Sequence, residues 1–282
     1  MRKIIDKTIP LYGKDYAIYL FLLSMNPFLR LLKSLLKKID YSLYKNEPFN
    51  FDREYPEATD FEKQTFEICQ QYSMTDHMRI FALMKSIEFT KQHNVNGDFV
   101  ECGVWKGGNL ILFQRFIEKY NLDKKIFAYD TFEGMSKPEE IDITPEGVSA
   151  NKLLKKLYDK GVNRKDNILI ADCSIEEVKN NFQKFSSKKN LFCIKGKVEE
   201  TLENKENLPN KISILRLDTD WYSSTKKELE ILFPLLEKNG ILIIDDYGYW
   251  KGARKAVDEY FIDKKVTMFK IDFTGRMIIN SL

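Results

Sequence analysis

Apolar residues follow two spacings along most of this chain, and the alternation between them predicts its elements. Ile80, Phe81, Leu83, Met84, Ile87 and Phe89 recur at helical spacing behind Thr75-Asp76, which offers an N-cap, so a helix is expected over about 76–93. A short strand, Asp98 to Cys102, comes next, then a turn, Gly103-Val104-Trp105-Lys106-Gly107-Gly108, and a helix from Asn109 to about Tyr120. A second strand over 125–129 ends at Asp130. Residues 133–150 hold Gly134, Pro138, Pro145 and Gly147 among acidic residues and read as a loop, a candidate lid. Helices near 149–160 and 174–185 flank a strand at 167–170. Further strands are expected at 191–194, 212–217 and 241–244, with helices at 224–238 and 252–261.

Near-continuous apolar strands alternating with helices imply a mostly parallel sheet covered on both faces, an α/β fold. Such sheets bind ligands beyond the carboxyl ends of their strands. Glu101, Asp130, Asp218 and Asp245 all stand at strand ends in this reading, so the topology gathers them along one rim. Two strands share one design: Ile212 to Leu217 runs into Asp218-Thr219-Asp220, and Ile241 to Ile244 runs into Asp245-Asp246. Carboxylate oxygens are what a hard dication such as Mg²⁺ prefers, and crowding several into one crevice is unfavourable unless a cation or shared proton relieves the repulsion. Capping of the following helices is the competing explanation, and four carboxylates at two strand ends exceed what capping needs.

The turn after the first strand suits a ligand. Its glycines allow tight turning and close approach, and the helix N-terminus at Asn109 favours an anionic group. Asp130, some 20–30 residues on, stands where an acidic side chain can accept from ribose hydroxyls. The turn is neither a G-x-G-x-x-G dinucleotide fingerprint nor a G-x-x-x-x-G-K-[ST] phosphate loop, which argues against NAD and ATP.

At 282 residues and 43% hydrophobic composition, the chain has room for one enzyme-sized core and an accessory segment. The net charge of +3 and the lack of a basic, aromatic-interleaved stripe argue against nucleic acid as a partner. Cys69, Cys102, Cys173 and Cys193 form no C-x-x-C pair, so neither a zinc site nor a disulfide framework is indicated, and a cytoplasmic location is expected. Charge is segregated. The first 50 residues hold nine Lys or Arg against four Asp or Glu, a net +5, and the rest, with 36 basic and 38 acidic residues, is −2. Residues 17–39 are apolar and then Leu/Lys-amphipathic, too short to span a bilayer, which takes about 20 apolar residues, and without the cleavage site of a signal peptide. The expected organisation is a basic helical arm, 1–54, and a catalytic domain, 55–282. The arm packs on its own domain or a dimer mate, or lies peripherally on an anionic membrane.

Four stretches carry a resemblance: Asp98-Phe99-Val100-Glu101-Cys102-Gly103-Val104-Trp105-Lys106-Gly107-Gly108, Tyr129-Asp130-Thr131-Phe132-Glu133-Gly134-Met135, Leu215-Arg216-Leu217-Asp218-Thr219-Asp220-Trp221-Tyr222 and Ile244-Asp245-Asp246-Tyr247. Together they closely resemble the macrocin O-methyltransferase family, over about residues 55–280 and with residues 1–50 outside it. The resemblance implies a Rossmann-like class I methyltransferase fold, S-adenosylmethionine and Mg²⁺ as cofactors, a small-molecule or glycan acceptor methylated on a sugar hydroxyl, and a homodimer or higher homo-oligomer. By the same resemblance, Gly103, Trp105 and Gly107 wall the methionine end of the cofactor and Asn109 lies near its carboxylate. Asp130 holds the ribose, Glu101 orients the loop or faces the amino group, Thr75 touches the cofactor or caps its helix, and Gly196 and Val198 lie beside adenine. Asp218, Asp245 and Asp246 would hold Mg²⁺, with Asp220 the general base. The family commonly has Gly where this chain has Thr219. The alternative within enzymes is a metal-dependent catechol-type phenol O-methyltransferase, and from a different class a non-catalytic nucleoside-binding or scaffold protein.

Overall fold

The computed structural model describes residues 49–159 and 171–282. Residues 17–39 and the strand expected at 167–170 lie outside the described residues. The chain divides into a unit ending at Thr59 and a body from Asp60 to Leu282. In the first, Asn50 caps one helical turn, α1 (Phe51–Glu54), accepting from the Arg53 N–H at 3.0 Å.

The body opens with α2 (Asp60–Cys69) and α3 (His77–Gln92), then β1 (Asp98–Cys102), α4 (Gly108–Tyr120) and β2 (Ile126–Asp130). It continues through α5 (Ala150–Asp159), α6 (Ile175–Gln183), β3 (Leu191–Lys195), α7 (Val198–Thr201), β4 (Ile212–Leu217) and α8 (Tyr222–Leu232). The last elements are β5 (Leu236–Ile244), α9 (Lys251–Phe261), β6 (Met268–Lys270) and β7 (Arg276–Ile279). Among the described residues the sheet order is β3-β2-β1-β4-β5-β7-β6. The first five pair in parallel, and β7 runs antiparallel to both its neighbours. The chain leaves β1 toward β2 on one side and returns as β4 on the other, which opens a crevice at the carboxyl ends of this pair.

Period-two alternation divides the strands between the two faces. Val100, Cys102, Phe127, Tyr129, Leu215, Leu217, Leu242 and Ile244 join Leu229 and Leu232 of α8 and Val257 and Phe261 of α9 in one buried core. Residues one step out of phase face the other way: Phe99 stacks on Phe113 of α4 with ring centroids 4.8 Å apart. That second face is the one to which Glu101 and Arg216 belong, so the charged positions of β1 and β4 lie under α3 and α4.

Two elements depart from the sequence reading. The helix expected to reach residue 238 stops at Leu232, because Pro234 cannot donate to an α-helical ladder; Phe233–Leu235 form a 3₁₀ turn and Leu236 already belongs to β5. The β6–β7 hairpin, absent from that reading, is tied at its turn by Asp272, whose Oδ1 accepts from the N–H groups of Thr274 at 2.8 Å and Gly275 at 2.5 Å. Among the described residues no helix is long and apolar enough to cross a membrane.

Candidate active site

Backbone bonds carry the sheet ladder one residue past the strands. Gly196 donates to Asp130 O at 3.0 Å, Gly103 to Tyr129 O at 2.8 Å, Asp218 to Cys102 O at 2.9 Å and Asp245 to Leu217 O at 2.9 Å. The first residue after each of β3, β1, β4 and β5 is thereby fixed on one rim. Above it lies a cavity of about 330 Å³, lined among others by Thr75, Gly103, Trp105, Asp130, Gly196, Val198, Asp218, Asp220, Asp245 and Asp246. That volume lies within the roughly 300–1,000 Å³ of small-molecule pockets.

On the β1 side the backbone must pass close against the end of β4. Gly103 has φ +81°, and a Cβ there would stand 2.0 Å from the Asp218 carbonyl oxygen, so no other residue fits. The turn beyond it is held by Asp130: Oδ2 accepts from the N–H groups of Val104 at 2.7 Å and Trp105 at 3.2 Å, and Oδ1 from Phe132 at 2.8 Å. Asp130 therefore organises the turn as well as lining the cavity. The Trp105 indole N–H is buried without a partner. Gly107 caps α4 from φ +85° and, like Glu101 and Asn109, is not part of the cavity lining. Asn109 instead donates to Glu101 Oε1 at 2.8 Å and to Thr75 Oγ1 at 3.2 Å. The helix cap beside Thr75 is Asp76, which accepts from Met78 N–H at 2.9 Å, leaving the Thr75 hydroxyl to the cavity and the network below.

That network centres on Arg216, buried at the end of β4. Its guanidinium reaches Glu101 Oε1 at 2.6 Å, Asp218 Oδ2 at 2.8 Å, Asp245 Oδ1 at 2.5 Å and Thr75 Oγ1 at 3.0 Å. Burial opposes its charge, and the carboxylates of Asp218, Asp245 and Glu101 outweigh that cost and strengthen its hold on the proton. Arg79 of α3 takes the other Asp245 oxygen and pairs with Asp272 at 2.9 Å. Neither arginine was given a role from sequence, although Arg216 carried a signal: a charge inside an apolar strand has to be paired.

Three carboxylates converge over this base. Ligand atoms of Asp218, Asp220 and Asp246 lie within 4.8 Å of one another. Asp245 stands beside the group with both oxygens on guanidinium groups. Burial works against the charged form of all four and prevails in three. It pushes Asp220 up to about 7, helped by the charges of Asp218 and Asp245 and opposed by hydrogen bonds from Asp246 and the Trp250 indole. Burial, then the charges of Asp220 and Asp245, raises Asp246 well above the carboxylate range, and Asp218 is raised in the same way despite Arg216. In Asp245 burial is overcome by Arg216 and Arg79, and the carboxyl is held low.

The far wall is the segment expected as a lid, and it is pinned. Buried Asp142 accepts from Tyr222 N–H at 2.9 Å and Glu139 N–H at 2.7 Å, Lys251 N–H donates to Ile143 O at 2.9 Å, and the Trp221 indole donates to Ser136 O at 3.0 Å. Met135 and Ser136 reach the cavity from it. Trp221 and Trp250 are 3% and 2% exposed, so they serve as core and not as open stacking faces; Tyr249 is the more accessible ring at that end.

Residues 33–278 match the family model described as Macrocin-O-methyltransferase (TylF), a span that begins inside the basic arm, earlier than the sequence resemblance. The chain is 27% identical over 221 residues to demethyldecarbamoylnovobiocin O-methyltransferase of Streptomyces niveus, with 78% of this chain and 74% of the relative covered. It is 28% identical over 191 residues to 8-demethyl-8-(2,3-dimethoxy-alpha-L-rhamnosyl)-tetracenomycin-C 4'-O-methyltransferase of Streptomyces olivaceus, covering 67% of each. Mycinamicin III 3''-O-methyltransferase of Micromonospora griseorubida is 27% identical over 191 residues, 67% of this chain and 70% of the relative. The solved structure of the O-methyltransferase NovP matches with a TM-score of 0.62 at 27% identity, over 75% of this chain and 83% of that one. With the class I sheet, the rim and the cavity already in place, the family match over most of the chain settles its membership: the protein belongs to the macrocin O-methyltransferase family and is an S-adenosylmethionine-dependent O-methyltransferase.

Proposed function

We propose that the enzyme methylates a sugar hydroxyl of a glycan or glycosylated metabolite, with Mg²⁺ bound by the strand-end carboxylates and Asp220 as general base. One observation carries the reading: Asp218, Asp220 and Asp246 converge within 4.8 Å on the cavity rim. The names of two relatives support a sugar acceptor, one specifying a rhamnosyl group and one a 3'' position.

The residues fit both cofactors. Oxygen donors that burial and mutual repulsion keep high in pKa are a set a hard dication stabilises. Asp218 and Asp246 would hold it, and Asp245 would join them only by giving up a guanidinium contact. On the nucleoside side, Gly103 lines the pocket where β1 packs against Asp218, the turn tied by Asp130 would provide the wall, and the unpartnered Trp105 indole N–H offers a donor. Bound Mg²⁺ would acidify and fix two neighbouring acceptor oxygens, and the sulfonium donor supplies a methyl group whose C–S bond breaks as the O–C bond forms. Asp220 takes the hydroxyl proton during that attack. Its pKa near 7 suits a base working at neutral pH, and the Trp250 indole holds it in place. Ser136, Met135 and Tyr249 shape the acceptor end.

The test is transfer of label from S-adenosylmethionine to sugars bearing vicinal hydroxyls, with a catechol in parallel. Transfer to the sugar that EDTA abolishes is expected. Asp220→Asn should bind the donor normally and lose at least about 100-fold in kcat, the lower end of the range for general-base removal. Transfer to the catechol alone, or transfer indifferent to EDTA, defeats the reading.

A further inference from the structure

The turn carrying Asp220 is wound more tightly than its neighbours on the rim. Trp221 N–H donates back to Thr219 O, two residues earlier, at 2.8 Å, and Asp220 between them has φ +68°. This is a γ-turn with positive φ, the rare and strained kind. Strained backbone of this sort persists where the surroundings over-determine it. Here the Thr219 hydroxyl donates to Glu228 Oε1 at 2.9 Å, and the Ser224 hydroxyl contacts the Thr219 carbonyl at 3.3 Å. Glu228 is fully buried on α8, with the Cys102 thiol at the end of β1 as its other neighbour. A buried carboxyl is costly in an apolar core, and the bond that this one makes runs to the single residue between Asp218 and Asp220.

We propose that Glu228, acting through the Thr219 hydroxyl, is a positioning residue that holds the Asp218-Thr219-Asp220 turn in its tight form and so aims the Asp220 carboxyl at the acceptor oxygen. The proposal rests on the reading of Asp220 as base. Helix α8 thus sets the catalytic geometry from behind the rim. A bond that only tied α8 to the sheet would affect stability and leave the balance of kcat and KM alone.

Thr219→Val keeps the side-chain shape and removes the donor, and Thr219→Ser restores the hydroxyl. Thr219→Val is expected to lower kcat by about 10- to 100-fold, the scale of a misplaced catalytic group, with KM for donor and acceptor within about twofold. Thr219→Ser should recover kcat to within about threefold of the wild type. Glu228→Leu should reproduce the loss, and the Thr219→Val/Glu228→Leu double variant should be no worse than either alone, because both cut one bond. Should Glu228→Leu fail to fold, the two Thr219 variants decide. Wild-type kcat in Thr219→Val, or an equal loss in Thr219→Ser, overturns the proposal. If the wild type methylates no sugar, the acceptor reading fails, and the latch is then read from a crystal structure of Thr219→Val. Asp220 leaving positive φ supports it; Asp220 unmoved overturns it.

Discussion

Replacing Arg216 by Met tests the electrostatic base of the site directly. The substitution keeps an apolar stem of similar reach and deletes a guanidinium that contacts Glu101, Asp218, Asp245 and Thr75. Glu101 suffers most. It is 1% exposed, Arg216 is the cation it contacts, and its Oε2 is already without a hydrogen-bond partner. Deleting one partner of a buried ion pair costs about 3–5 kcal/mol, chiefly as uncompensated charge; Arg79 still covers Asp245, so the three pairs do not add. A loss of about 3–5 kcal/mol is a large share of the roughly 5–15 kcal/mol of a typical domain. The sign with pH follows. Without Arg216 the folded-state pKa values of Glu101 and Asp218 rise further above their unfolded values, so near neutrality the folded state binds more protons and stability falls as pH rises. Urea unfolding of wild type and Arg216→Met should therefore give midpoints far apart at pH 8 and closer at pH 5.5. In Arg216→Met/Glu101→Gln, which removes the stranded charge, at least about 1 kcal/mol should return. A loss under about 1 kcal/mol that does not change with pH would refute this account.

Gly103→Ala places a Cβ 2.0 Å from a backbone oxygen at φ +81°. It should cost more than about 2 kcal/mol, from strain plus clash, and should weaken donor binding in calorimetry; unchanged affinity would remove the turn from the donor site. Lys124 is pulled down to about 8 by burial, with its ammonium held by the carbonyls of Val95 at 3.1 Å and Gly97 at 2.5 Å and by Ser213 at 3.0 Å. Between about 8 and the ordinary lysine value of 10.5 the unfolded chain keeps a proton that the folded protein has released, so stability rises with pH across that window. The rise is at most roughly 3.5 kcal/mol, from about 1.4 kcal/mol per pH unit. Lys124→Met should lack it, and parallel pH profiles for the two proteins would exclude the effect.

The architecture was legible where spacing alone determines it. Helical periodicity marked α3 and α4, and short, mostly apolar runs marked β1, β2 and β4, because a parallel strand buried on both faces admits few polar residues. Pro234 is a further signal in the sequence, and it ends α8 at Leu232, short of the Lys238 that helical spacing alone suggests. The β6–β7 hairpin was harder to see: Met268-Phe269-Lys270 is short and half-exposed at a sheet edge, and its turn depends on the Asp272 side chain bonding Thr274 and Gly275, not on an Asn-Gly pair. At the site, the convergence of strand-end acids follows from topology. How each acid is used does not, because partners arrive from distant segments: Arg79 from α3, Trp250 from the start of α9 and Glu228 from α8.

Charge balance explains why those partners are needed. Glu101, Asp218, Asp245 and Asp272 surround Arg79 and Arg216, and Asp220 and Asp246 stand beyond them, six carboxyl groups against two guanidinium groups. Fully ionised, the cluster would carry four uncompensated negative charges in a place where burial already raises most of its pKa values. The two arginines hold Asp245 below the ordinary carboxylate range. The upper layer, Asp218, Asp220 and Asp246, is left short of positive charge and relieves itself in part through the Asp220–Asp246 hydrogen bond, which requires a shared proton. A donor carrying a sulfonium charge and a hard dication are the two species that such a layer favours, and both are cations of the proposed reaction. The same shortage keeps the Asp220 pKa close to neutrality. In the proposed reaction, one arrangement of strand ends would therefore serve the positively charged donor, the metal and the base together, with the arginines placed one layer deeper, against Glu101, Asp218, Asp245 and Asp272.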